Sequence, residues 1–315
     1  MTSPNVIASY KQPGSLVEVM FDPTNFAGNI WFVNNSNSAA TDSTGYGRTP
    51  NAPFASINFA ANSSNNTGLV PTNGDVIYVL PGHVENIGNA TVTCNAAGVR
   101  IIGVGTGTDR PLISFDNASA NIAVTAANVT FRNFQTTATV ANVTKLFNVT
   151  AAYCVLDGVD YVNTTSCNPL SFLLTSAAAN YVTVQNCDHY CTVAGTSAQI
   201  WIELIGMTRP RVRNNNINVT LDNAAGSYTI ATTTTAATDV EIYGNDIVQK
   251  GGTSQTEVIS MLANTTGSID NNNCHCNASH YTGLTTAASC YCTNNYSSVT
   301  VNKSGVLDPV ADTTI

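Results

Sequence analysis

The feature that most constrains this chain is a phrase repeated along it. It is plainest at Ala126-Ala127-Asn128-Val129-Thr130-Phe131-Arg132-Asn133, where small and polar residues lead into alternating apolar positions and an Asn breaks the run. The phrase returns at 97–103, 178–186 and 237–244. Taking the Asn or Gly that ends each copy as position zero, the copies end at Gly103, Asn133, Gly158, Asn186, Asn214, Gly244, Asn271 and Asn294, at intervals of 23 to 30 residues. Two places before zero stand Ile101, Phe131, Leu156, Val184, Val212, Ile242, Ile269 and Cys292. Four places before stand Val99, Val129, Cys154, Val182, Pro210, Val240, Gly267 and Cys290. Alternation with period two marks a strand with one buried face. Only Pro210 and Gly267 suit a strand interior poorly.

Each copy is preceded by a second apolar run, as at 121–125, 145–149, 171–175, 200–204, 227–231 and 258–262. Eightfold self-similarity of short strands calls for a solenoid, because one repeat cannot bury its own apolar face but a stack of them can. A parallel β-helix fits, with two or three strands per turn, turns stacked at the strand spacing of about 4.8 Å and a shaft of about 40 Å. Asn at the bends can then stack its amides from turn to turn. Upstream, Ile30-Trp31-Phe32-Val33 reads as a first strand and 74–82 as a buried one. Pro53 to Ala61, with Phe54, Ile57 and Ala61 on one helical face, is the best helix candidate. The expected division is an extended N-terminal arm over 1–28, one solenoid domain over 29–300 and a C-terminal tail over 301–315.

Composition narrows the partners. Charged residues are only 10% of the chain, and the net charge of −8 with a pI near 4.7 speaks against nucleic acid, whose phosphates need clustered Lys and Arg. No apolar run approaches the about 20 residues of a membrane span. Residues 1–28 lack the pattern of a signal peptide, which points to synthesis in a cytosol. Nine cysteines is an odd count and excludes complete pairing within one chain. Sequons such as those at Asn89, Asn148 and Asn218 arise by chance in a chain this rich in Asn and Thr.

The order of segments from Trp31 to Gly103 carries a resemblance. An opening Trp-Phe-Val strand is followed by Gly47-Arg48-Thr49-Pro50, Pro53-Phe54-Ala55-Ser56-Ile57, and 74–85 with Pro81-Gly82-His83. This is similar to the N-terminal cap and first turns of right-handed parallel β-helix proteins of the pectate-lyase-like superfamily, to which phage tailspikes and other virion surface proteins belong. With the repeats, the resemblance covers about residues 29–300. It implies a right-handed, all-β solenoid in which the short helix caps the open end. It does not choose between lyase, hydrolase and structural shaft, since one fold hosts many functions.

Cleavage of polysaccharide by members of that superfamily uses acids on neighbouring turns, and glycoside hydrolysis needs two carboxyl groups a few ångströms apart. One place before zero, the column reads Ile102, Arg132, Asp157, Gln185, Arg213, Tyr243, Asp270 and Thr293, with no two acids adjacent. Asp239 and Glu241 stand beside Arg209 and Arg211 of the preceding turn, which reads as a ladder of ion pairs or, less simply, a ligand-binding charge patch. Glu203 and the pair Asp157 and Asp160 are the acids left for catalysis, and Asp222 the one left for sugar binding. Trp201, Tyr228 and Tyr243 are aromatic residues of the kind that stack on sugar rings. Cys274-His275-Cys276 and Cys290-Tyr291-Cys292 each put two thiols on one face. They suit small core filler, an inter-turn disulfide or a zinc site, although zinc knuckles use a wider spacing. Cys187, His189 and Cys191 read as packing residues, and His83 as a satisfied turn histidine.

No catalytic, cofactor-binding or metal-binding residue is assigned, and no cofactor. The sequence favours a non-enzymatic phage virion protein, a capsid decoration or head spike protein on the virion surface, made in the host cytoplasm. Its expected partners are itself, as a homotrimer, the major capsid protein or other virion proteins, and a bacterial surface glycan. The alternatives are a tailspike-like polysaccharide depolymerase and a non-catalytic carbohydrate-binding module.

Overall fold

The computed structural model describes residues 8–11, 18–21, 28–163, 168–194, 197–222, 226–251, 257–276, 283–284, 289–297 and 305–306. Its body is a parallel β-solenoid with three faces. Each follows from the alternation in the sequence. On the first face, Ile30–Val33 pairs with Val76–Val79 and that strand with Arg100–Gly103. Pairing continues through Thr130–Ala138, Val155–Val162, Thr183–Gln185, Arg211–Arg213, Val240–Tyr243, Thr266–Asp270 and Ser289–Thr293. Every pairing along it is parallel. The predicted column holds rung by rung: Ile101, Phe131, Leu156, Val184, Val212, Ile242, Ile269 and Cys292 are successive partners. Ile77 and Trp31 extend it below.

The third face is built from the upstream runs, which pair in parallel from Thr91–Cys94 to Gly283–Leu284. The second face comes after the repeat ends. It runs from Val84–Ile87 and Leu112–Phe115 through the C-terminal halves of the two long strands to Asp188–Cys191, Asn216–Thr220, Asp246–Lys250 and Asn273–Cys276. The bend between first and second faces is position zero. From Asn133 to Asn294 the seven residues there have φ between 50° and 65°, the left-handed conformation that Gly and Asn tolerate best. Asn and Gly end each phrase because the backbone must turn there.

Such a residue also shifts the alternation. Residues one past the bend point inward, and Asn215, Asn245, Asn272 and Asn295 form a buried ladder there. Each Nδ2 donates to the next Oδ1, at 2.9, 2.8 and 3.0 Å. The same Oδ1 atoms accept backbone amides from the turn before, and Nδ2 also donates to a backbone carbonyl. The stacked amides stand beside the bend residue rather than on it.

The interior is continuous and apolar. At mid-shaft it is aromatic: Phe131 packs on Phe147, Phe147 on Phe172, and Phe172 on Trp201. Each such ring, fully buried, contributes about 1.5–3 kcal/mol. The one α-helix among the described residues is Ile57–Ala61, shorter than the expected 53–61 and capped by Ser56, whose Oγ accepts from Phe59 N at 3.0 Å. Phe54, Ile57 and Ala61 are buried as expected. Glu85 reaches the start of this helix and accepts from Ile57 N at 2.8 Å, and it is tied in turn to His83 Nε2 at 2.9 Å. His83 Nδ1 accepts from Asn35 N at 3.1 Å, so both ring nitrogens are satisfied, as a turn histidine requires.

Two features at the ends go beyond the expected arm and tail. Ala8–Lys11 and Glu18–Phe21 form an antiparallel pair of their own, with the turn formers Pro13 and Gly14 between them. Gly305–Val306, within the tail, adds antiparallel to Tyr296–Ser297 and covers part of the last rung.

Candidate functional site

The core cannot carry function, so the outward columns of the first and second faces are where chemistry can reach solvent. Five places before the bend, a second line of residues is left-handed: Gly98, Asn128, Tyr153, Tyr181, Arg209 and Asp239, with φ from 53° to 76°. Each amide in this line is bonded to the following turn; Tyr181 N, for example, donates to Thr208 O at 2.8 Å. The two left-handed lines differ in composition. Position zero uses only Asn and Gly. This line uses Tyr, Tyr and Arg, where left-handed backbone costs roughly 1–2 kcal/mol per residue. Tyr153 and Tyr181 stack on each other, with ring centroids 4.6 Å apart and planes within 4°.

Arg209 and Asp239 follow in the same line at 3.6 Å, with side chains 55% and 60% exposed. In the adjacent outward column Arg211 Nε donates to Glu241 at 2.9 Å. These are the ion pairs the repeat predicted, each worth about 0–1 kcal/mol at such exposure. One rung further both columns fall to small residues, Thr266 and Ser268, and beyond Ser268 stands Tyr291, 82% exposed. Between them lies a groove of about 650 Å³ lined by Arg209, Arg211, Asp239, Glu241, Ser268, Ser289 and Tyr291. Its floor is Gly267 (φ 132°), packed so closely that a Cβ there would lie 2.2 Å from Val240 O.

The acids separate into two groups. Asp157 lies between Arg132 and Gln185 as expected, 3.4 Å from Arg132 and accepting from Asn186 Nδ2 at 2.8 Å. Asp270 accepts from Thr293 Oγ1 at 2.6 Å. Two acids do meet elsewhere. Asp160 and Asp188 occupy adjacent rungs of the outward column two places past the bend, since Tyr161 pairs with His189. The column before the bend, where no two acids adjoin, does not reveal this. Asp160 is held by Arg110 at 2.6 Å and accepts from Asp188 N at 2.8 Å. Burial and the neighbouring Asp160 raise the Asp188 carboxyl above its usual range, against the pull of Arg110 and Asn216.

Other predicted residues lie away from these positions. Glu203, on the third face, accepts from Thr233 Oγ1. Asp222 N donates to Gln199 at 2.6 Å. Trp201 is fully buried and donates to His189, which removes it from any role in stacking on a sugar; its strand turns it into the interior. Tyr228 is partly buried and Tyr243 is 43% exposed. Cys187, His189 and Cys191 are buried in the second face, as packing residues should be. Cys290 and Cys292 are free thiols in inner columns of the first face, packed against the core, and burial lifts Cys290 to about 11. Cys274 is buried on a different face, so the two Cys-X-Cys pairs do not converge on one side; the Cys276 side chain lies outside the described residues. No cluster of three metal-ligating side chains occurs among the described residues, nor any helix long and apolar enough to cross a membrane.

Fold and face together define an all-β parallel β-solenoid protein. Two solved structures show likeness to it. One is a rhamnogalacturonan lyase, at 13% identity over 85% of this chain and 87% of that one, with a TM-score of 0.43. The other is bacteriophage CBA120 tailspike protein 3, at 13% identity over 97% of this chain and 67% of that one, with a TM-score of 0.14. Likeness at this level speaks to neither substrate nor activity. No protein-family model and no curated protein matches the chain.

Proposed function

We propose that the chain is a non-enzymatic structural protein of a phage virion surface, of the capsid-decoration or head-spike kind, assembled as a homotrimer and turned toward the bacterial glycan coat. One observation carries the non-enzymatic reading: the outward carboxylates of the first two faces are tied into rung-to-rung contacts. Asp157, Asp160, Asp239 and Glu241 face arginines, while Asp188, Asp246 and Asp270 accept from Asn216, Asn273 and Thr293. Carboxylates held this way brace a shaft rather than wait for a substrate proton. The low fraction of charged residues favours the virion setting.

A second reading, a tailspike-like depolymerase, has one observation in its favour. Asp160 and Asp188 adjoin, one paired with Arg110 and the other with its carboxyl raised, which is how an acid and a base are set apart in glycoside hydrolysis.

Incubation with bacterial capsular polysaccharide and lipopolysaccharide, followed by assays for reducing and unsaturated sugar ends, separates the two. The structural reading expects no new ends. New ends that disappear in both Asp160→Asn and Asp188→Asn establish the depolymerase instead. The homotrimer expects a native mass three times the 33.0 kDa chain.

A further inference from the structure

We infer that the groove over Ser268 is a binding slot for an uncharged sugar ring, closed on one side by Tyr291 and on the other by the Arg211–Glu241 and Arg209–Asp239 pairs. Glu241, Ser268 and Tyr291 are successive partners in one outward column. With rungs about 4.8 Å apart, the walls stand about 10 Å from each other, which leaves room for one ring between them. Gly267 and Val240 lie at its base, and the small Ser268 between Glu241 and Tyr291 leaves the space above them open.

The chemistry of the walls selects the ligand. Tyr291 is 82% exposed and, among the described residues, offers the most exposed aromatic face on the shaft. The opposite wall carries two guanidinium groups and two carboxylates already opposed, at 2.9 and 3.6 Å, so its net charge is zero. Planar groups of both signs accept and donate hydrogen bonds to vicinal hydroxyls, whereas an anionic sugar would meet as much repulsion as attraction.

The slot does not depend on the virion assignment, and binding without cleavage leaves the structural function standing. The test is retention of the full-length protein on an array of oligosaccharides built from glucose, galactose, mannose, rhamnose and N-acetylhexosamines, with uronate- and sialate-containing oligosaccharides alongside. Wild type should bind one or more of the neutral set, and Tyr291→Ala should weaken that binding at least tenfold with unchanged melting temperature. Arg209→Gly should weaken binding while holding or raising the melting temperature, an opposite movement that a merely structural arginine would not produce. Failure to bind any neutral glycan, preference for the acidic set, or binding indifferent to Tyr291→Ala overturns the proposal.

Discussion

His189 Nδ1 accepts a hydrogen bond from Trp201 Nε1 at 2.8 Å in the fully buried core, while His189 Nε2 donates to Val159 O at 3.1 Å. Both ring nitrogens are therefore used by the neutral imidazole, and protonation of Nδ1 would set two donors against each other.

A pH dependence follows. Burial is the main cause that pushes His189 down to about 4, below its ordinary 6.5. Between these values the unfolded chain binds the proton and the folded one does not. Stability from this residue is complete above pH 6.5 and is lost as pH falls through 4, by roughly 3 kcal/mol in total. Urea unfolding of wild type from pH 7.5 to 4 should show this slope. His189→Phe, though less stable at pH 7.5, should have a flatter profile; an equal slope in both would refute the assignment.

The amide ladder predicts an uneven response to Asn→Ala. Asn245→Ala leaves the Asn215 backbone amide without its partner and removes one bond each from Asn215 Nδ2 and the Val212 carbonyl in a buried strip. Each unmet buried group costs about 1–3 kcal/mol, so the loss should reach roughly 3–5 kcal/mol in denaturant melts. Asn216→Ala, outward and exposed on the next position, should cost under about 1 kcal/mol.

Gly267 and Gly74 share positive φ but not surroundings. A Cβ at Gly267 would strike Val240 O, while one at Gly74 meets nothing within 4 Å. Gly74→Ala should therefore cost only about 1–2 kcal/mol of backbone strain. Gly267→Ala should exceed about 4 kcal/mol or prevent soluble expression, read from thermal melts and yield.

Ion pairs of different burial should respond differently to salt. Arg110 and Asp160 are 17% and 15% exposed, against 55% and 60% for Arg209 and Asp239. A double-mutant cycle should give roughly 1–3 kcal/mol for the first pair, little changed by 0.5 M salt, and under about 1 kcal/mol for the second, screened away. Equal couplings would contradict the difference in burial.

Much of the fold was legible because a solenoid copies its chain pattern into space. Residues one repeat apart become rung neighbours, so counting back from each Asn or Gly located Phe131 above Ile101 and Glu241 beside Arg211 without coordinates. The short helix was legible from Ile57 and Ala61 on one face, whereas Phe54 is buried ahead of it in a bridge to Val33. Trp201 was not: it stands in a run, Ile200 to Leu204, whose strand could expose either face, and only the register of the third face turned it inward.

The amino-acid sequence by itself determined the strands, their columns before each bend and the pairing of Asp239 and Glu241 with arginines, because period-two alternation counted back from one Asn or Gly per turn leaves one solution there. The tertiary structure decided everything past the bend. A left-handed residue such as Gly158 or Asn186 breaks the alternation, so residues on its far side change the face they would otherwise take. That shift buries the Asn215 to Asn295 ladder and sets Asp160 against Asp188. The depth of the groove at Gly267, and the exposure of Tyr291 above it, depend on how closely one turn settles on the last, a distance that no residue pattern states.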